Sequence, residues 1–361
     1  GVWIMAYTTI NDPSEYFTIT TYTGDGNDDR SITNSANAGN FKPDWLWIKQ
    51  RDQTRHHMLV DSNRGATKHT FTSLTNAEST NANGVQAFET NGFQLGTDTD
   101  ANQNTGTYVA WQWKSNGGTA TATISESGSN PAASVQANTT AGFSIITYTG
   151  TGSQGTIAHG LGATPSMLWI KNRDASEGWI IDAQILTNNS NGTLHFNTDA
   201  EYTSGTNQYG SHDSTNITIK TSGNINTDGQ KYVAYVFTPI KGYSKFGIFH
   251  SDNNADGTFV YLGFKPKFLL AKNITQTHDN HDWIIFDSER EGSNVIDTFL
   301  RANETTTEVT SGRNEVDFLS TGFKARASYG DFNGGSNHEF IYYAFAEHPF
   351  VSSTGTPVTA R

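Results

Sequence analysis

The chain has 361 residues, of which 34% are hydrophobic, 12% aromatic and only 16% charged. Its formal net charge is −12 and its Lys and Arg residues are not clustered, which argues against nucleic acid and anionic membranes as partners. The sequence contains no cysteine, so disulfide frameworks, Cys-based zinc sites and thiol nucleophiles are excluded. No apolar run approaches the roughly 18 residues of a membrane span, so we expect no membrane insertion.

The first predicted module covers residues 5–114 and contains three strands that recur later in the chain. Its opening strand begins at Phe17, its second strand runs from Pro43 to Lys49, and its closing strand begins at Tyr108. The second strand is apolar on both faces, so we expect it to be covered on both sides. No segment shows the apolar period of about 3.6 residues that marks a helix, and helices should be short and rare.

Residues 115–140 are rich in Gly, Ser, Thr and Ala, and we predict that they form a linker, partly strand-like around Thr119 to Ile124. A second module at 141–240, a third at 241–350 and a tail at 351–361 follow. The recurring strands begin at Phe143, Pro165 and Tyr232 in the second module and at Pro266 and Tyr342 in the third.

The repeated strands predict the fold class. We expect an all-β chain of three tandem antiparallel β-sandwich domains of the jelly-roll or concanavalin type. Aligning the closing strands on their first tyrosine places Ala110, Ala234 and Ala344 in corresponding positions, where a small side chain lets a neighbouring ring approach closely.

Several of these motifs resemble a known family. The segments 148–152 (Tyr-Thr-Gly-x-Gly), 159–165 and 169–174 of the second module, and 41–49 and 60–65 of the first, resemble a repeat that is common in tail-associated and other virion proteins of marine bacteriophages. The third module resembles it through 262–266. The resemblance implies a concanavalin-like or laminin-G-like sandwich, and it supplies no catalytic residue.

The resemblance also implies a function. We expect a non-enzymatic phage virion protein, either a tail fibre or an exterior attachment or decoration protein on the tail or capsid surface, made in the host cytoplasm. Its expected partners are other virion proteins and a host-surface glycan, and it would form a homo-oligomer, with the trimer typical of fibre proteins. The alternatives are a lectin-like array of carbohydrate-binding modules and a glycan-degrading enzyme.

The tryptophans of the first module have two interpretations. Trp45, Trp47, Trp111 and Trp113 could stack on sugar rings as a glycan platform. Because they recur where the strands are apolar on both faces, the sequence favours a role as core anchors. No ligand-binding residue is therefore assigned.

The acidic loop at Asp25, Asp28 and Asp29 is the candidate metal site. Loops rich in Asp, Asn and Gly can supply the oxygen ligands of Ca²⁺. The spacing matches no EF-hand, and the second module has Thr151 and Ser153 in the corresponding loop, so turn chemistry is favoured over metal binding. No other cofactor is expected.

Two further groups of residues could carry chemistry. His278 and His281 could seat a metal, but sequence offers no further ligands, and a solvated loop is favoured. Glu289 and Glu291 could act as the paired carboxylates of a glycosidase, but Arg290 lies between them and no second acidic motif is nearby. No catalytic residue is assigned.

Overall fold

The computed structural model describes residues 7–35, 41–183, 192–205, 208–275, 281–313, 315–328 and 332–358. The predicted all-β sandwich class is confirmed, with 46% of residues in strands and 2% in helix. The helical segments of the described chain are a 3₁₀ turn at Pro13–Glu15 and the four-residue helix α1 at Thr99–Asn102.

The described residues before 114 form nine strands. They are β1 (Phe17–Thr23), β2 (Arg30–Thr33), β3 (Trp45–Gln50), β4 (Met58–Asp61), β5 (Lys68–Phe71), β6 (Ser79–Thr80), β7 (Val85–Glu89), β8 (Gly92–Leu95) and β9 (Thr107–Trp113).

The part of the chain described between residues 115 and 240 forms nine more. They are β10 (Ala122–Ile124), β11 (Ala133–Asn138), β12 (Phe143–Thr149), β13 (Gly155–Ala158), β14 (Met167–Asn172), β15 (Ile180–Asp182), β16 (Leu194–His195), β17 (Asn216–Ile219) and β18 (Lys231–Phe237).

The remaining strands follow residue 240. They are β19 (Ser244–Asp252), β20 (Phe259–Tyr261), β21 (Phe264–Asn273), β22 (Ile284–Asp287), β23 (Thr298–Arg301), β24 (Val309–Thr310), β25 (Val316–Leu319), β26 (Gly322–Ala325) and β27 (Ser336–Pro349).

These strands form three large antiparallel sheets with the same internal order. The first large sheet is β1-β9-β3-β4-β5-β6, the second is β10-β11-β12-β18-β14-β15-β16, and the third is β19-β27-β21-β22-β23-β24. In each sheet the closing strand lies between the opening strand and the second strand of its own segment. Residues 115–140, predicted as a linker, instead contribute β10 and β11 to the edge of the second sheet.

A small sheet accompanies each large one. The three small sheets are β2-β8-β7, β13-β17 and β20-β26-β25. Alternate residues of a large sheet face different cores, because successive side chains of a strand point to opposite faces. In β3, Leu46 and Ile48 face one hydrophobic cluster, to which the first small sheet contributes Ile32 and Phe93. Trp45 faces a second hydrophobic cluster, which we call the central cluster.

The central cluster is shared by all three large sheets. The rings of Trp45 in the first sheet and Tyr235 in the second are 4.6 Å apart between centroids, and those of Phe17 and Phe345 of the third sheet are 5.3 Å apart. Trp169 of the second sheet contacts Tyr343 of the third at 5.4 Å. Each large sheet therefore packs against the other two, and the predicted covering of the second strand on both sides is confirmed for β3.

The third closing strand differs from the predicted alignment. In the first sheet, Ala110 of the closing strand pairs with Ile48 of the second strand. In the third sheet, Ala271 of the second strand corresponds to Ile48, and it pairs with Tyr342 of the closing strand. Tyr342, and not Ala344, is therefore the counterpart of Ala110. A shift of two residues leaves every side chain on the same face, so the apolar pattern could not detect it.

Candidate functional site

The four tryptophans proposed as a glycan platform are buried. Trp45, Trp47 and Trp111 are 0% exposed and Trp113 is 2% exposed, all in the central cluster. Trp111 Nε1 donates a hydrogen bond to Asp287 Oδ2 across the interface between the first and third sheets, at 3.0 Å. These rings are core anchors, and no sugar can reach them in this fold.

The acidic loop of the first segment is held by hydrogen bonds within the protein. Asp25 Oδ1 accepts from the Asn27 N–H at 2.9 Å, and this bond is the main cause of the lowered pKa of Asp25. Asp28 Oδ1 accepts from Gln86 Nε2 at 2.8 Å. Among the described residues, no group of three or more His, Asp and Glu side chains is arranged to hold a metal ion.

A buried asparagine organises the corresponding loop in each segment. Asn102, Asn226 and Asn333 are each 0% exposed. Their Oδ1 atoms accept from the backbone N–H of Asp25, Thr151 and Asp252, at 3.1, 2.9 and 3.1 Å. Their amide groups donate to loop carbonyls, which in the second segment are those of Ser153 and Lys220. We call each of these asparagines a clamp. Its sequence signal is an apolar residue followed by Asn shortly before each closing strand.

The other two candidate groups also have structural partners. His281 is buried, and its ring lies 6.3 Å from that of His338, whereas His278 lies outside the described residues. Glu289 forms an ion pair with Lys267 at 3.4 Å. Glu291 Oε2 accepts backbone N–H groups at 2.8 Å from both Asp297 and Thr298, so it caps a turn.

Three buried lysines connect neighbouring segments, a feature that sequence reasoning missed. Lys49, Lys171 and Lys272 occupy the same position at the end of the second strand, and all three are 0% exposed. Each ammonium donates to the carbonyl that follows it in the chain and to one in another segment. These second acceptors are Thr305 O at 3.4 Å, Thr75 O at 3.1 Å and Asp199 O at 2.7 Å, respectively. Burial lowers the pKa of all three from 10.5 to about 8.

The lysine contacts run in one direction around the molecule, from the first segment to the third, the second to the first, and the third to the second. Backbone hydrogen bonds link the same three pairs of segments. They run from Glu308 N to Arg51 O at 2.7 Å, from Glu78 N to Arg173 O at 2.8 Å and from Tyr202 N to Ile274 O at 3.0 Å. The first two pairs are also bidentate Arg–Glu ion pairs. The third interface has Ile274 and Tyr202 in their place, of which Ile274 belongs to the central cluster and Tyr202 packs against it. The three interfaces are thus versions of one arrangement.

The exposed aromatic side chains lie elsewhere, on the outer edge of the third small sheet. In β20, Phe259 is 46% exposed and Tyr261 is 53% exposed, while Val260 between them is buried. Together with Val358 they are the strongly exposed large hydrophobic residues of the described chain. A groove of about 940 Å³ next to Phe259 is also lined by Lys265 and Lys324.

The other two segments carry small residues at the positions of these aromatics. Val260 pairs with Phe323 as Ile32 pairs with Phe93 and Ile157 with Ile217. This register equates Phe259 with Ser31 and Thr156, and Tyr261 with Thr33 and Ala158. The aromatic edge is therefore specific to the third segment, although the scaffold beneath it is repeated. The alternation of Phe259 and Tyr261 was visible in the sequence, but its contrast with the other copies needed the strand register.

No helix among the described residues is long and apolar enough to span a membrane. A comparison with curated proteins finds no match. A family model described as a domain of unknown function, DUF7483, matches residues 12–349, and the chain therefore belongs to that family.

Proposed function

We propose that this protein is a non-enzymatic structural component of a bacteriophage virion, acting as a tail-fibre protein or as an exterior attachment or decoration protein. The observation that carries the proposal is the division between a repeated interior and a varied exterior. The large apolar rings of all three large sheets meet in one core, while the edges of the small sheets differ from segment to segment.

This division suits an attachment protein. Binding residues in proteins concentrate on loops and edges that a rigid scaffold positions. The three interfaces and the shared core fix the relative positions of the outer edges, so contacts made there would keep their geometry. Many copies on one particle would multiply weak contacts to other virion proteins or to the host surface.

Immunogold labelling tests the proposal. Antibodies raised against the purified chain are applied to purified particles of the phage that encodes it, and the particles are imaged by electron microscopy. We expect gold on the tail or on the capsid surface, and the chain in the particle fraction of a density gradient. A chain found only in the soluble fraction of the lysate would contradict the proposal.

A lectin-like function is the second candidate, and the exposed pair Phe259 and Tyr261 favours it. Exposed aromatic faces can stack on the apolar face of a sugar ring, and Lys265, Asn294 and Thr321, which line the groove next to Phe259, offer hydrogen-bonding groups for hydroxyls.

A glycan array with the purified protein tests this second candidate. The double variant Phe259→Ser/Tyr261→Thr installs the residues of the first segment at the same positions and should abolish a genuine signal. The matched control, Ser31→Ala/Thr33→Ala, alters the equivalent edge of the first segment and should leave binding unchanged. Equal binding by both variants would exclude this edge as the sugar site.

A further inference from the structure

The strands β19 and β20 border an open depression on the outer surface of the third segment. Its volume is about 460 Å³, and its lining includes Ile248, Phe249, Phe259, Tyr261 and Tyr342. In the described structure β19 pairs with β27 on one side only, and β20 pairs with β26 on one side only. The depression therefore lies between two strand edges that no neighbouring strand covers.

The second segment has a strand at the corresponding place. There β11 pairs with the opening strand β12 along six residues, and its Ala133 and Val135 join the buried cluster with Ile157 of β13. The turn before β11 reaches β13 as well, because Asn130 Oδ1 accepts from the Thr156 N–H at 2.9 Å. The segment 130–138 thus closes the space between β12 and β13.

The register shows that the two places are equivalent. Ile145 of β12 pairs with Tyr235 as Phe246 of β19 pairs with Tyr343, so β12 corresponds to β19. The register of the small sheets equates β13 with β20 and Thr156 with Phe259. Thr156 is the residue that the turn before β11 contacts. The position of Phe259 is therefore half-buried in the second segment, as Thr156, and 46% exposed in the third.

The first segment supplies the contrast. Its β1 also lies at the edge of its sheet, but the outward residues of β2 are Ser31 and Thr33, which water can solvate. An exposed polar edge needs no cover, whereas an edge with two exposed aromatic rings is typical of an interaction site.

We propose that the depression between β19 and β20 accepts a β-strand from a partner polypeptide, which pairs antiparallel with β19 as β11 pairs with β12. This inference does not depend on the proposed function, because a strand acceptor could serve in any assembly. Strand addition to an exposed sheet edge is a general mode of peptide recognition, in which the main chain supplies affinity and alternate side chains supply specificity.

The lining defines the chemistry of the partner. By analogy with β11, its inward side chains would lie opposite Gly247 and Phe249, so every second residue should be apolar. A segment of six residues, about 20 Å long, would match β11. The lining also includes Lys245, which shares a face with Gly247 and Phe249 and whose ammonium donates to Tyr261 O at 2.5 Å, so an inward basic residue opposite Lys245 would be disfavoured.

Hydrogen exchange on a tethered probe tests the proposal. The probe is the chain's own segment 130–139, attached after Arg361 through about ten Gly and Ser residues, which raises its effective concentration to the millimolar range. Val358, three residues before the end of the chain, lines the neighbouring groove with Phe259, so a linker of this length can reach the depression. We expect amides of β19 to exchange at least about tenfold more slowly than in the chain without the probe.

Two controls accompany this measurement. A probe with Asp in place of its valine should give no protection, because it would bury an unpaired charge. The variant Phe259→Ser/Tyr261→Thr with the intact probe should lose most of the protection while melting at the same temperature as the parent. Unchanged exchange of β19 with the intact probe in the folded parent would overturn the proposal.

Other occupants give different results, each of which would also overturn it. Protection of β19 that rises with protein concentration, together with a dimer in sedimentation, would assign the edge to a second copy of the chain. Protection present in the chain without the probe and lost in a chain beginning at Tyr7 would assign it to the first six residues. Protection by an oligosaccharide but not by the probe would assign it to a glycan.

Discussion

At the residue scale, the polar groups that organise this protein are buried, and they recur at corresponding positions of the three segments. Lys49, Lys171 and Lys272 each reach a carbonyl of another segment, and Asn102, Asn226 and Asn333 each hold a loop. Buried polar groups are costly unless they are hydrogen-bonded, so their repetition marks them as parts of the scaffold and not as reactive groups.

Replacing Lys272 should destabilise the protein. Its Nζ donates to the carbonyls of Asp199, Asn273 and His281 at 2.7–2.8 Å, and Lys272→Met would leave these acceptors without that donor. We expect the free energy of unfolding in urea to fall by about 1–3 kcal/mol, since removal of the desolvated charge offsets part of the loss. The control Lys324→Met, which breaks an ion pair with the exposed Asp256, should cost less than about 1 kcal/mol. Equal losses in the two variants would contradict the role of Lys272.

His57 should make stability depend on pH. Burial lowers the pKa of His57 well below 6.5, so the folded chain keeps the imidazole neutral while the unfolded chain takes up a proton. The free energy of unfolding should therefore fall as the pH drops below about 6.5. In His57→Gln the slope of this fall should be smaller by up to about 1.4 kcal/mol per pH unit. Urea titrations of the parent and of His57→Gln from pH 7 to 5 measure the two slopes, and equal slopes would contradict the role of His57.

At the scale of elements, the sequence predicted the strands better than their alignment. Period and composition located the second strands and two of the opening strands, because these runs are long and apolar. The third opening strand, β19, was missed, since it reads Ser244-Lys-Phe-Gly-Ile-Phe249 and lacks the motif of the other two. Its position follows only from its pairing with β27. The residues 115–140 looked like a linker because β10 has only three residues and alternate residues of β11 are polar, and the sequence did not show that Ser134 and Gln136 of β11 hydrogen-bond to the first segment.

The asparagine clamps give a prediction at this scale. In Asn226→Ala the backbone N–H of Thr151 and the carbonyls of Ser153 and Lys220 lose their side-chain partner. We expect a loss of about 1.5–3 kcal/mol in unfolding free energy and faster hydrogen exchange in residues 150–154. Asn224→Ala, two residues away on the same loop, should change stability by less than about 0.5 kcal/mol. A clamp variant with unchanged exchange in this loop would refute the assignment.

At the scale of the whole molecule, the shared core makes the three segments depend on one another. Trp45, Trp47, Trp111 and Trp113 are covered by side chains of the second and third sheets, so a first segment alone would expose them. The family model likewise extends over all three large sheets, from residue 12 to residue 349.

Unfolding should accordingly be a single transition. We expect coincident urea curves from tryptophan fluorescence and far-UV circular dichroism, and a shift of the same transition by destabilising substitutions in any segment. Lys171→Met in the second segment and Lys272→Met in the third are suitable reporters. Separate transitions, each moved by only one of these substitutions, would show that the segments unfold independently.

The sequence by itself determined the all-β class and the repeated apolar strands, because alternation and aromatic content are local properties of the chain. It also favoured burial of the tryptophans, since apolar residues on both faces of a strand imply cover on both sides. Only the tertiary structure decided what provides that cover, namely the other two large sheets. The exposed edge at Phe259 and Tyr261 was likewise decided by tertiary structure, because exposure depends on whether a strand such as β11 is present beside it, and no property of β20 itself encodes its neighbour.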